Sequence, residues 1–256
     1  VDFTVAADAY DRFMGRYSQP LADAFADLVG IRADWRVLDV GCGPGALLTE
    51  LDRRLDAGGV VGVDPSETFV AAARARHPDV EIHQATAEQL PLADGSFDCA
   101  LAQLVVHFMP DPVRGLREMT RVTRPGGVVA ACVWDFDEGG GPLSTFWAAA
   151  SELDPLAPGE TVLPGTRRGH LAALLREAGM EQVEESIISV QVGHPDFEDW
   201  WQPYELGVGP AGVYVSSLGA QDRDRLRDRC RAILPDGPFE VGAAAWAAAG
   251  LTPDPR

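Results

Sequence analysis

Apolar positions switch between two periods along the first half of the chain. Leu21, Phe25 and Leu28 recur at helical spacing, which predicts one or two amphipathic helices over residues 4–28, with Gly30 stopping the run. Residues 36–40 (RVLDV) form a short β-rich run instead, ending at the cluster Gly41-Cys42-Gly43-Pro44-Gly45. The same alternation predicts helices over about 46–55, 66–76 and 112–122. Further strands are expected over 60–63, ending at Asp64, and over 80–84, 97–102 and 128–134, the last preceded by a turn at Pro125-Gly126-Gly127. Strands alternating with helices make βαβ units. Right-handed crossovers then give an α/β fold with a doubly wound, Rossmann-like sheet that binds ligands at the C-terminal ends of its strands.

Beyond Trp134 the rhythm breaks. Residues 136–165 are rich in Gly, Pro and acids around an apolar island at Phe146-Trp147. A helix is expected over 167–178, closed by Gly179, and a strand over 181–192. Residues 194–235 read as an insertion with Trp200, Trp201 and Tyr204, followed by a helix rich in Arg and Asp. Residues 239–246 suit a final strand, although the alanines of 243–249 suit a helix equally. No internal repeat is found. The expected organisation is one domain over 1–256: lid helices in 1–30, a cofactor-binding half in 31–134, and a substrate-side half in 135–256 with a small helical cap built from insertions at about 136–165 and 194–235.

Composition narrows the function. The 256 residues carry 21 basic and 39 acidic side chains, for a formal charge of −18, and every basic residue is Arg. Without Lys there is no Walker-type phosphate loop, Schiff base or lysine nucleophile. The acidity argues against nucleic-acid or anionic-membrane partners. The Arg residues at 223, 225, 227, 229 and 231 alternate with Asp222, Asp224 and Asp228, and are expected to form a solvated helix face. Cys42, Cys99, Cys132 and Cys230 show no metal-ligand spacing and read as buried free thiols. No apolar run reaches the ~18 residues of a spanning helix, and no basic-then-apolar leader is seen, so a cytoplasmic location is expected.

The glycine cluster has the spacing GxGxG. Asp39 stands two residues before it, and Asp64 ends the next strand nineteen residues after Gly45. Beside a pyrophosphate, Asp39 would suffer a repulsion of about 4 kcal/mol at ~4 Å and an effective dielectric of ~20. An ammonium reverses the sign. S-adenosylmethionine carries an ammonium, a sulfonium and no phosphate, and Asp64 suits its ribose hydroxyls.

VLDVGCGPG (37–45), VVGVDPS (60–66), ATAEQLPLADGSFD (85–98), QLVVHFMPD (103–111) and TRPGGVVAACVW (123–134) resemble, in order, motifs of the class I S-adenosylmethionine-dependent methyltransferases. The likeness is greatest to the subgroup of quinone C-methyltransferases and small-molecule methyltransferases. It covers about residues 8–134 and implies a seven-stranded sheet with its last strand antiparallel. It further implies that Asp39, Gly41, Cys42, Gly43 and Gly45 hold the methionine end and that Asp64 binds ribose. Pro65 or Ser66 would flank the adenine, and Thr86, Ala87 and Glu88 would read its edge. The backbone carbonyl of Gln103 would meet the amino group. The segment 9–18 resembles the family's lid helix, with Tyr10 and Tyr17 as cofactor-side candidates.

Methyl transfer from a sulfonium requires alignment of nucleophile, methyl and sulfur, and for a neutral hydroxyl or carbon acid also a base. His107, just after strand four, is the candidate base, with packing as its competing role. His170 and His194 are weaker candidates. Trp134, Trp147, Trp200, Trp201 and Tyr204 could wall an apolar acceptor pocket or form the cap's core. No metal is expected, since the chain lacks the Asn of a magnesium-dependent catechol site. The expected activity is therefore transfer of a methyl group to a small organic acceptor, with specialised metabolism as the expected setting and the acceptor atom and oligomeric state open. The competing readings are a cyclase or isomerase that keeps the cofactor site, and a non-catalytic binding protein.

Overall fold

A computed structural model describes residues 7–254; positions 4–6 of the expected N-terminal helix lie outside the described residues. The N-terminal helical run comprises α1 (Ala7–Tyr10), a π-turn (Asp11–Gly15) and α2 (Arg16–Val29), stopped by Gly30 in the left-handed region. There follow β1 (Val37–Val40), α3 (Ala46–Arg54), β2 (Val60–Asp64), α4 (Glu67–Arg76), β3 (Glu81–Gln84), β4 (Phe97–Gln103), α5 (Pro112–Val122) and β5 (Thr123–Trp134). The C-terminal half adds α6 (Ser144–Leu153), α7 (His170–Glu177), β6 (Glu181–His194), α8 (Phe197–Trp201), α9 (Gly209–Ser217), α10 (Ala220–Ile233) and β7 (Phe239–Leu251).

The seven strands lie in the order β3-β2-β1-β4-β5-β7-β6. β1 to β5 pair in parallel, and β7 runs antiparallel between β5 and β6. The order reverses beside β1, and the ligand-binding crevice of such sheets opens there. Side-chain alternation sorts β1 onto two cores. Val37 joins the layer of Leu21, Phe25 and Leu48 from α2 and α3, whereas Leu38 and Val40 join Leu116 and Leu175 from α5 and α7. Asp39 therefore shares Val37's face, toward the N-terminal helices.

The structure decides or refines four readings of the sequence. The alanines of 243–249 are strand: β7 pairs on both sides, at Ala247↔Cys132 and Ala247↔Ser186 for example, and this overrides the helical propensity of Ala. The helix expected from 167 begins at His170, and the acidic segment after Trp134 contains α6. The Arg-rich α10 is a brace as well as a solvated face. Arg227 and Arg231 both bond Glu198 of α8, and Arg229 grips Glu152 of α6 at 2.5 and 3.0 Å. Among the described residues, no helix is long and apolar enough to cross a membrane.

Candidate functional site

Two clefts open where β1 and β4 end, and one helical run covers both. Tyr10 lines each of them, Ser18 the first, and Phe13 and Met14 the second.

The first cleft is polar. Asp39, Gly41, Cys42, Gly43, Pro44 and Gln103 line it. Gly41 and Gly43 sit at φ +72° and +53°. A Cβ on Gly41 would lie 2.3 Å from Val105 Cγ2, whereas one on Gly43 would meet nothing within 4 Å. The first glycine thus lets the loop pack on the segment after β4, and at the second the positive φ itself favours glycine. Asp39 is 1% exposed, and its Oδ2 has no hydrogen-bond partner. Burial, reinforced by the charge of Asp64, pushes its pKa well above the usual carboxylate range. Gln103 donates to the Ser18 carbonyl at 3.0 Å, while its own Oε1 is buried without a partner. One cleft thus contains two buried, unsatisfied acceptors. Such groups cost free energy until a donor reaches them.

Asp64 anchors the glycine loop. Its Oδ2 accepts from the Gly43 N–H and its Oδ1 from the Ser66 N–H, both at 2.8 Å. Burial raises its pKa, and these two hydrogen bonds oppose the rise. Ser66 also caps α4 by accepting from Phe69 N–H, and Pro65 is exposed beside it. Farther along, Thr86 is exposed, Ala87 is buried, and Glu88 accepts from the Asp111 N–H at 3.3 Å. Cys42 is buried, and its thiol pKa is pushed well up by burial.

The second cleft is aromatic. It is a partly open cavity of about 40 Å³, with Tyr10, Phe13, Phe108, Trp134 and Phe136 among its walls. His107 lines it, buried, with Nδ1 unpartnered, and desolvation lowers its pKa to about 3. Leu104, also in the wall, holds φ +60°, a conformation bulky side chains rarely adopt. Trp134 faces the cleft as expected of the end of β5, its Nε1 directed at Met14 Sδ at 3.3 Å.

The other expected aromatics are not among the lining residues. Trp200, Trp201 and Tyr204 are buried against Phe146 and Phe197 in the core they share with the N-terminal helices, with Tyr204 stacked on Phe146 at 4.5 Å. Trp147 reaches the cleft only indirectly, its Nε1 donating to Glu160 Oε2 at 2.7 Å. Glu160, which sequence reasoning missed within an acidic loop, does line the cleft.

Tyr17 is also buried, and burial raises its pKa. Its hydroxyl lies 2.9 Å from His194 Nε2, whose Nδ1 lies 2.9 Å from Asp199 Oδ2; Arg16 pairs with that carboxylate at 2.7 Å. With Nδ1–H donating to Asp199, Nε2 accepts from Tyr17. The chain of bonds ties α2 to the end of β6 and to α8, so His194 acts as a strut here. Nδ1 of His170 accepts from the Gly165 N–H in the loop before α7. Among the described residues, no group of three His, Cys, Asp or Glu could hold a metal ion.

Comparison with known proteins fits this geometry. Residues 38–131 match the family model of the methyltransferase domain. An uncharacterised methyltransferase of Mycobacterium tuberculosis is 40% identical over 136 residues, 53% of this chain and 52% of that protein. A ubiquinone/menaquinone biosynthesis C-methyltransferase of Bdellovibrio bacteriovorus is 39% identical over 104 residues, 39% of this chain and 44% of that protein. The matches span about half of these curated relatives, or less. The solved structure of a phosphoethanolamine N-methyltransferase from Haemonchus contortus, in complex with S-adenosylhomocysteine, superposes with a TM-score of 0.60 at 17% identity. It covers 97% of this chain and 57% of that one, a likeness of fold. Residues 38–131 thus match the methyltransferase-domain family model, and they are set in a seven-stranded, Rossmann-like fold shared with the Haemonchus contortus structure.

Proposed function

We propose that this protein transfers a methyl group from S-adenosylmethionine to a small organic acceptor. The observation that carries the reading is the pair of unsatisfied acceptors, Asp39 Oδ2 and Gln103 Oε1, in one cleft beside Gly41 and Gly43. They call for a donor, preferably cationic, and an ammonium supplies both charge and several N–H bonds. A diphosphate would set more acceptors against them. S-adenosylmethionine fits this set and supplies, when bound, an activated methyl group.

The remaining assignments belong to the same proposal. Asp64 keeps lone pairs free for ribose hydroxyls beyond its two backbone bonds. Pro65, Ser66, Thr86, Ala87 and Glu88 border the adenine region, and Cys42 and Gly45 shape the loop. Tyr10 closes the polar cleft from above. Tyr17 acts through the strut that holds the lid helix. In the second cleft, Trp134 walls the acceptor site, and His107, kept neutral by burial, offers Nδ1 to the acceptor as a hydrogen-bond acceptor. Trp147, Trp200, Trp201 and Tyr204 support the cap behind that wall. The whole chain acts as one domain with lid, cofactor half and capped substrate half. The acidic surface favours a small molecule over nucleic acid or an anionic membrane, and the four buried free thiols suit a cytoplasmic setting.

Calorimetric titration with S-adenosylhomocysteine, with NAD as control, tests the reading. Micromolar binding of the sulfur ligand alone is expected, and tight NAD binding would overturn it. Incubation with an acceptor must then release S-adenosylhomocysteine. Product formed without that release would mark a cyclase or isomerase built on the same site.

A further inference from the structure

Among the described residues, Glu160 is the one carboxyl in the wall of the aromatic cleft. It is 3% exposed and forms no ion pair among the described residues. Its Oε2 is fixed by the Trp147 Nε1–H at 2.7 Å. Among the described residues no Arg lines the cleft, although the chain has 21 basic residues. Five aromatic rings do, and their faces are electron-rich. A desolvated carboxyl facing aromatic walls, without a cation of its own, forms half of an ion pair. We propose that the cleft takes an acceptor built as an apolar body bearing a protonated amine, with Glu160 as the counter-ion of that ammonium and the aromatic walls holding the body. The inference deepens the methyltransferase reading and rests on it for the word acceptor.

The titratable groups facing Glu160 add no competing charge. Tyr204 behind it is buried, and its ionisation is opposed by burial and by Glu160 itself. Across the cleft, burial keeps His107 uncharged at neutral pH, and Tyr10 is pushed up to about 12. Desolvation raises Glu160 from 4.5 to about 7, against the Trp147 hydrogen bond. An arriving ammonium must therefore ionise Glu160, so binding below pH 7 releases a proton into the buffer.

The test uses benzylamine, 2-phenylethylamine and tryptamine against the neutral benzyl alcohol, 2-phenylethanol and tryptophol. Each is titrated calorimetrically into the full chain, with and without S-adenosylhomocysteine. At least one amine is expected to bind tenfold or more tighter than its neutral counterpart, with affinity rising about tenfold from pH 6 to pH 8 as Glu160 ionises. Glu160→Gln keeps an acceptor for Trp147, so it should fold with unchanged affinity for S-adenosylhomocysteine and lose both the amine preference and the pH dependence. Glu160→Asp should keep part of the preference. Amines binding no tighter than the alcohols, or an undiminished preference in Glu160→Gln, would overturn the proposal. Charge-selective amine binding without any binding of S-adenosylhomocysteine would uphold the amine site and overturn the methyltransferase reading.

Discussion

The two clefts face the same physical problem with different materials. Each buries a carboxyl without a basic partner, Asp39 in the polar cleft and Glu160 in the aromatic one, and each carboxyl is pushed toward its neutral form by desolvation. Asp39 belongs to the strand-and-loop segment 37–45, which builds half of its own cleft wall. Glu160 is assembled with residues from the lid helix, the segment after β4, the end of β5 and the loop before α9. A binding site can thus be local or distributed in sequence. Tyr10, which lines both, couples them through one helix.

The sharpest way to break the comparison is to damage the local site. In Gly41→Ala a Cβ would stand 2.3 Å from Val105 Cγ2 at φ +72°, combining overpacking with left-handed strain. The expected loss is about 2–5 kcal/mol of stability, read as a lowered denaturation midpoint. Gly43→Ala, at a position open to space, should lose only the backbone part. An equal loss in both variants would show that the contact with Val105 does not matter.

Next is the pH dependence of Glu160. Its pKa is raised from 4.5 to about 7, so the protonated carboxyl is the form folding favours. That stability is fully present below pH 4.5 and lost as pH rises through 7, up to about 3 kcal/mol. Glu160→Gln should therefore gain on the wild type in thermal melts between pH 5 and pH 8. A gap that stays constant across that window would place Glu160 in contact with solvent or with a cation.

Asp39→Asn removes the charge and keeps the shape. Its affinity for S-adenosylhomocysteine should fall about 10- to 100-fold, the scale of charge-assisted hydrogen bonds, while the amine preference of the second cleft persists. Loss of both would mean that the clefts are one site.

The smallest effect is expected from Arg16→Ala, which cuts the partly exposed bond from α2 to Asp199. Ligands of both clefts should weaken together, about two- to fivefold. Weakening in one cleft alone would argue against a shared lid.

What could be read from the sequence follows the range of the interactions. The order of β1 to β5 and the glycine loop came from patterns a few residues long: period two against period 3.6, and Asp39 and Asp64 at fixed offsets from the glycines. Leu104 at positive φ carries no such signal, because its strain is imposed by the hydrogen bond from its N–H to the Cys132 carbonyl at 2.8 Å on the neighbouring strand. Trp200, Trp201 and Tyr204 could have faced ligand or core on composition alone, and the packing of α8 against α6 and α10 put them in the core.

By itself, then, the sequence determined the parallel half of the sheet and the glycine loop of the polar cleft, since those depend on neighbours in the chain. Only the tertiary structure made the alanines of β7 a strand, by pairing them on both edges. It also brought Glu160 to the aromatic wall, because burial and the Trp147 hydrogen bond depend on elements that meet only when the chain is folded.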